Sequence, residues 1–291
     1  MPLSHLLLCL SIAMTLVPTQ APWPWLSVLI MAVAAGLVNG QLGIAALVPV
    51  MAMAALAWMT IEAHRRPRRQ EMLMLLMLVV GLALAMHKLP GFLNPTYLIS
   101  PSDLQAPAAR YLNFDKGVAG MLMLAVLVAQ QRQRRLAAAP SGSEGPAGAA
   151  PTAAPPSWTL PVTIGATLIV PWLLAVMSSL GTPTLRWPPN TGLFLTCVAE
   201  EAAFRGVIQG LLARRLGTDL RTWNGWLPVL LAAVLFGLAH APGGLSYVAL
   251  ATLAGIGYGL IYTLTRRIEA AILLHLALNA LVFLTLNIRV G

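Results

Sequence analysis

Three short polar constellations interrupt apolar stretches in the second half of the chain: Glu200-Glu201 with Arg205, Phe236 with His240, and His275 with Asn279. Ionisable side chains are costly inside hydrocarbon, and where they occur there they face a bundle interior or a water-filled cavity. Carboxylate, imidazole and amide groups brought together can activate a water and stabilise the anion formed when it attacks a carbonyl. That is the chemistry of amide hydrolysis.

The spacings divide the labour. On a helix, residues four apart share a face while neighbours are turned by about 100°, so Glu201 is set to pair with Arg205 and Glu200 needs a partner from another helix. Glu200 is then the candidate general base; the alternative for the whole motif is an ion-pair network that locks helices together. Phe236 and His240 repeat the four-residue spacing just before the Ala241-Pro242-Gly243-Gly244 turn, where His240 is either a packing residue or the partner of Glu200. His275 and Asn279 again share one face, either as donors to an oxyanion or as interhelical glue worth ~0.6–2 kcal/mol. Two histidines and a glutamate also form a known catalytic zinc set. No H-E-x-x-H occurs, however, and no separate base is left if Glu200 is a ligand, so a reading without metal or other cofactor is preferred.

Positioning such groups falls to a membrane bundle. Of 291 residues, 58% are hydrophobic and 9% charged, with mean hydropathy +0.78, against about a quarter charged in soluble domains. Apolar segments at 4–18, 24–38, 42–60, 71–87, 117–131, 159–180, 191–213, 227–240, 243–265 and 269–287 predict an all-α, polytopic bundle of eight to ten transmembrane helices. The first lacks a basic n-region and is read as a membrane helix, not a signal peptide. Counting about 1.5 Å per residue along these helices, Glu200, His240, His275 and Asn279 fall in a band of roughly 10 Å around the bilayer centre.

The net charge of +9 comes from clusters between apolar spans, at Arg65, Arg66, Arg68 and Arg69; Arg132, Arg134 and Arg135; Arg214, Arg215 and Arg221; and Arg266 and Arg267. This is the cytoplasmic-loop pattern of membrane proteins, and it argues against nucleic acid as a partner. It puts both termini outside, together with the 88–114, 181–190 and 241–242 connections. Cys9 and Cys197 lie in apolar stretches without metal spacing and define no disulfide framework.

Residues 136–157 are mostly Ala, Pro, Gly and Ser with Glu144 the single charge, which reads as a flexible linker. It divides an N-terminal transmembrane bundle, 1–135, of unassigned role from a catalytic core, 158–291. The 88–114 loop carries Tyr97, Asp103, Arg110 and Tyr111, and the Asp115 that follows suits the positive end of a helix dipole. Gly255, Gly257 and Gly259 would allow close packing of the helix before the last motif.

The three motifs, in this order, resemble the E-E-x-x-x-R, F-x-x-x-H and H-x-x-x-N/D pattern of the CPBP family, the CAAX-protease and bacteriocin-processing intramembrane endopeptidases related to Ras-converting enzymes. The resemblance covers about residues 158–287. It implies a hydrolase that cleaves peptide bonds of membrane-associated peptide or protein substrates. It also implies that Glu200 is the base, His240 its partner, and His275 and Asn279 the oxyanion donors, with Glu201, Arg205 and Phe236 in support. A multi-pass protein of a bacterial inner membrane is expected, on the Ala-, Arg- and Pro-rich composition. A transporter with the same polar core would show broken helices in two matching halves, but residues 1–135 hold no matching motif; a scaffold would be indifferent to Glu200→Gln.

The arginine pattern makes a direct expectation. A cysteine at position 143, replacing Ser143, stays unlabelled by an impermeant thiol reagent in intact cells, and labelling there reverses the orientation.

Overall fold

The computed structural model describes residues 2–17, 22–94, 112–138, 156–178, 181–183 and 191–288. Tyr97, Asp103, Arg110, Tyr111 and most of the linker lie outside the described residues. Ten helical rods account for the ten apolar segments: α1 (Leu3–Leu16), α2 (Trp23–Val38), α3 (Leu47–Glu62), α4 (Pro67–Ala85), α5 (Phe114–Ala138), α6 (Thr159–Met177), a composite rod, α9 (Trp223–Leu238), α10 (Leu245–Thr265) and α11 (Ile268–Thr285). The composite rod runs through α7 (Thr191–Glu201), a π-helical segment (Ala202–Gln209) and α8 (Gly210–Leu216). Helices are the solution the bilayer demands, since each backbone group must be satisfied within its own segment.

The α3 region with its flanking turns (Ile44–Arg65), α6, α10 and α11 are long and apolar enough to cross a membrane, and α1, α2 and α9 are shorter apolar helices. The chain is therefore an integral membrane protein with an all-α fold. Its exposed leucines, valines and tryptophans, such as Trp58, Val79 and Leu273, suit a lipid-facing surface. The described strands are β1 (Gly181–Pro183) and β2 (Leu286–Ile288), an antiparallel pair that ties the end of α11 to the chain following α6.

Contacts between helix ends sort into two faces. At one face Arg214 donates to Gln130, Arg215 to Glu71, and Arg132 to the carbonyls of Thr15 and Val17, while Arg266 reaches Thr218. Three arginine clusters thus share one end of the bundle, and Glu71, two residues past Arg69, joins the start of α4 to the same end. At the other, Asp115 accepts from Asn94 and from its own neighbour's amide at Lys116, and meets His87 Nδ1 at 2.6 Å. Asp115 does sit in the first turn of α5, as the dipole argument requires, and it also pins the chain that follows α4.

Helix α5 is the centre of the bundle. Every residue from 117 to 128 is buried, as expected for a helix that is apolar on all sides over that stretch. It packs on α1, α3, α4 and α7, and a single hydrophobic core runs from Leu8 through Leu122 to Leu278. The α5 backbone closes on that of α7 at Gly120, where an added Cβ would lie 2.5 Å from Ala199 Cα. In the second half α10 plays the same part between α6, α9 and α11, and Gly257 lets it close on Thr167.

Gly120→Val has no room to form. Overpacking of this kind costs about 1–3 kcal/mol, so the variant loses thermal stability in detergent and loses activity with it; unchanged stability would show that α5 and α7 do not meet this closely.

Candidate active site

The first polar motif lies where α7 passes into the π-segment. Such segments are rare, widen the turn and recur at functional sites. Here the wider turn keeps Glu201, Arg205 and Gln209 on one inward face, and all three are buried. Gln209 Nε2 donates to the Gly259 carbonyl and to Thr263 Oγ1, each at 3.0 Å, which anchors the segment to α10.

Glu201 has no exposed surface, and both its oxygens are used. Arg205 Nε donates to Oε2 at 3.1 Å, and His275 Nδ1 lies 2.8 Å from Oε1. The remaining Arg205 nitrogens, Nη1 and Nη2, find no hydrogen-bond acceptor. Their charge is met instead by aromatic faces, with the guanidinium carbon 5.0 Å from the Phe236 ring centre and 5.8 Å from that of Tyr258. Phe236 thus does more than share a face with His240. It contacts Phe204, Tyr258, His240 and His275 edge-on or tilted, and is the aromatic hub beneath the site.

His275 is fixed on three sides, by Glu201, by Phe236 and by Tyr258 stacked at 4.5 Å and 17°. Its Nε2 is left facing Glu200 Oε2 at 3.9 Å. His240 sits just past the end of α9, and its Nδ1 lies 2.8 Å from the Phe236 carbonyl. A carbonyl oxygen can only accept, so Nδ1 carries a proton and Nε2 is the ring nitrogen turned away from the backbone. Asn279, one turn beyond His275, has its amide nitrogen 3.5 Å from Cys197 Sγ.

Glu200, His240, His275 and Asn279 border one cavity of about 270 Å³, with Phe236 and Tyr258 in its wall. The four candidate catalytic residues are therefore brought together, while Glu201 and Arg205 are withdrawn behind them. The partner that Glu200 takes is one the motifs do not contain: Lys116 of α5 donates to Oε1 at 2.7 Å. Both side chains keep partial exposure, 17% for Lys116 and 14% for Glu200. Lys116 follows Asp115 at the start of α5, and nothing in its own spacing announces that the Gly120–Ala199 contact will carry it to Glu200.

Glu200 is occupied by a cation, Glu201 is consumed by Arg205 and His275, and among the described residues no three His, Cys, Asp or Glu side chains converge as a metal site.

Comparison with known proteins adds one match. Residues 183–281, which hold all three motifs, match the family described as type II CAAX prenyl endopeptidase Rce1-like, a match that spans about a third of the chain. No curated protein and no solved structure gives a significant match. Helices α1 to α6, including the one that supplies Lys116, lie outside the matched segment.

Arg205→Ala leaves a buried carboxylate short of its cation, a change that commonly costs about 3–5 kcal/mol. It lowers the melting temperature and the yield of folded protein. Lys116→Met removes a charge-assisted hydrogen bond worth about 1.5–3 kcal/mol from a partly exposed site, so its main effect falls on turnover, about ten- to a hundredfold at near-normal stability. Equal stability losses in the two variants would overturn this separation.

Proposed function

We infer that the protein is an intramembrane endopeptidase that hydrolyses peptide bonds of membrane-associated substrates with a water activated by Glu200. The observation that carries this reading is the convergence of Glu200, His240, His275 and Asn279 on one cavity inside a membrane bundle. The family of the matched segment supports it independently. The composition favours a bacterial cell membrane as its location.

In the reaction, a water held between Glu200 and His240 Nε2 loses a proton to Glu200 as its oxygen bonds to the scissile carbonyl carbon. The carbonyl oxygen becomes an oxyanion, for which His275 Nε2–H and the Asn279 amide are the donors. His275 can donate there while its Nδ1–H is held by Glu201 only as the imidazolium, which then shares the Glu201 carboxylate with Arg205. Collapse of the tetrahedral intermediate breaks the C–N bond, and Glu200 returns its proton to the leaving amine. Lys116 holds the carboxylate in place at the start of the cycle. No step needs a metal, in keeping with a donor set already committed to other partners.

Glu200→Gln keeps the volume but cannot take a proton, and loss of a general base costs about 10²–10⁴ in rate. The purified variant is folded and inactive on substrates found by comparing membrane and secreted proteins of wild-type and Glu200→Ala cells. Asn279→Ala lowers kcat by about 10²–10³ with little change in KM, the loss expected for one oxyanion donor. Chelation leaves activity intact, and recovery of activity by zinc after chelation would replace the mechanism with a metal-dependent one.

A further inference from the structure

Glu200 and His240 border a second cavity as well. It measures about 390 Å³ and lies on the other side of these two residues, between α4, α5, the end of α7 and the turn after α9. Its walls include Leu82, Ala85 and Met86 of α4 and Lys116 and Ala119 of α5. Glu200 and His240 are the residues common to both cavities. The first cavity is walled by α6, α7, α9, α10 and α11, all in the second half of the chain, whereas the second adds α4 and α5 from the first half.

An endopeptidase must hold polypeptide on both sides of the bond it cuts, and an extended chain advances about 3.3 Å per residue. The first cavity, at about 270 Å³, lies below the roughly 300–1,000 Å³ usual for sites that enclose even a drug-sized molecule. It has room for one side only. We propose that the second cavity is a second substrate subsite, with residues on one side of the scissile bond in the first cavity and residues on the other side in the second. This rests on the endopeptidase reading and adds to it the part played by the N-terminal helices.

The lining specifies what enters. Ala85 and Ala119 leave volume where larger side chains would fill it, and among the described residues of the wall Lys116 is the one Lys or Arg in a lining that is otherwise apolar apart from Glu200 and His240. Leu82 and Met86 are 40% and 62% exposed, which opens the mouth toward lipid. Methionine adapts its shape to varied apolar partners. The subsite therefore takes bulky apolar side chains from a segment arriving through the bilayer.

The test uses the purified full chain in liposomes with a library of N-palmitoylated, quenched-fluorescent octapeptides randomised around the central bond, the products being identified by mass spectrometry. Ala85→Trp fills the second cavity, Leu82→Trp narrows its exposed mouth, and Ala251→Trp fills the first. Ala85→Trp is expected to lower kcat/KM at least tenfold for peptides bulky on one side of the bond, while peptides with Gly or Ala there stay near wild type. Ala251→Trp is expected to do the same for the opposite side. An unchanged cleavage profile in folded Ala85→Trp, or in Leu82→Trp if Ala85→Trp does not fold, overturns the second subsite alone, as does a change on the same side as Ala251→Trp. A folded wild type that cleaves no library member overturns the endopeptidase reading itself.

Discussion

A carboxylate without solvent contact, Glu201, is the constraint on which the site is built. Removing a carboxylate from water costs several kcal/mol even after relaxation, and the cost is recovered only if the remaining lone pairs are satisfied. Glu201 meets this with Arg205 along its own rod and His275 from α11, one on each oxygen. The requirement propagates outward. Arg205 has nitrogens without acceptors and must lie over Phe236 and Tyr258, and those rings in turn fix the planes of His240 and His275. A single buried charge thereby sets the orientation of both imidazoles that face the cavity.

The π-segment is what lets one rod meet these demands. In a regular α-helix, residues at successive four-residue steps drift around the axis, so Glu201, Arg205 and Gln209 would point in progressively different directions. Across the wider turn Glu201, Arg205 and Gln209 all meet α10 or α11. Glu200, one residue earlier, is turned away from that row and toward the gap that Lys116 enters. Neighbouring glutamates thus meet different partners, Lys116 for Glu200 and Arg205 with His275 for Glu201.

Much of this was legible in the residues. Hydropathy located the ten helical rods because lipid leaves the backbone few options, and the four-residue spacings marked which polar groups share a face. What could not be read was contact between elements distant in sequence. Lys116 is 84 residues from Glu200, and its approach depends on the absence of a side chain at Gly120, a position that carries no polar signal. The engagement of Glu201 by His275 was equally hidden, since spacing reports only faces of one helix; the motif reading assigned Glu201 to Arg205 and left the imidazole free. The left-handed Arg266 that closes α10 has no signature of the glycine or asparagine kind.

The origin of Lys116 bears on how such a protein can change. The cation that holds the central carboxylate comes from a helix outside the segment carrying the family motifs. The motif-bearing segment is therefore not self-sufficient: separated from α5, it would leave Glu200 without the cation that it pairs with here. Innovation in this architecture is confined to alterations that keep the two halves in register, and the amino-terminal helices can drift in sequence only as far as the pairing of α5 with α7 allows.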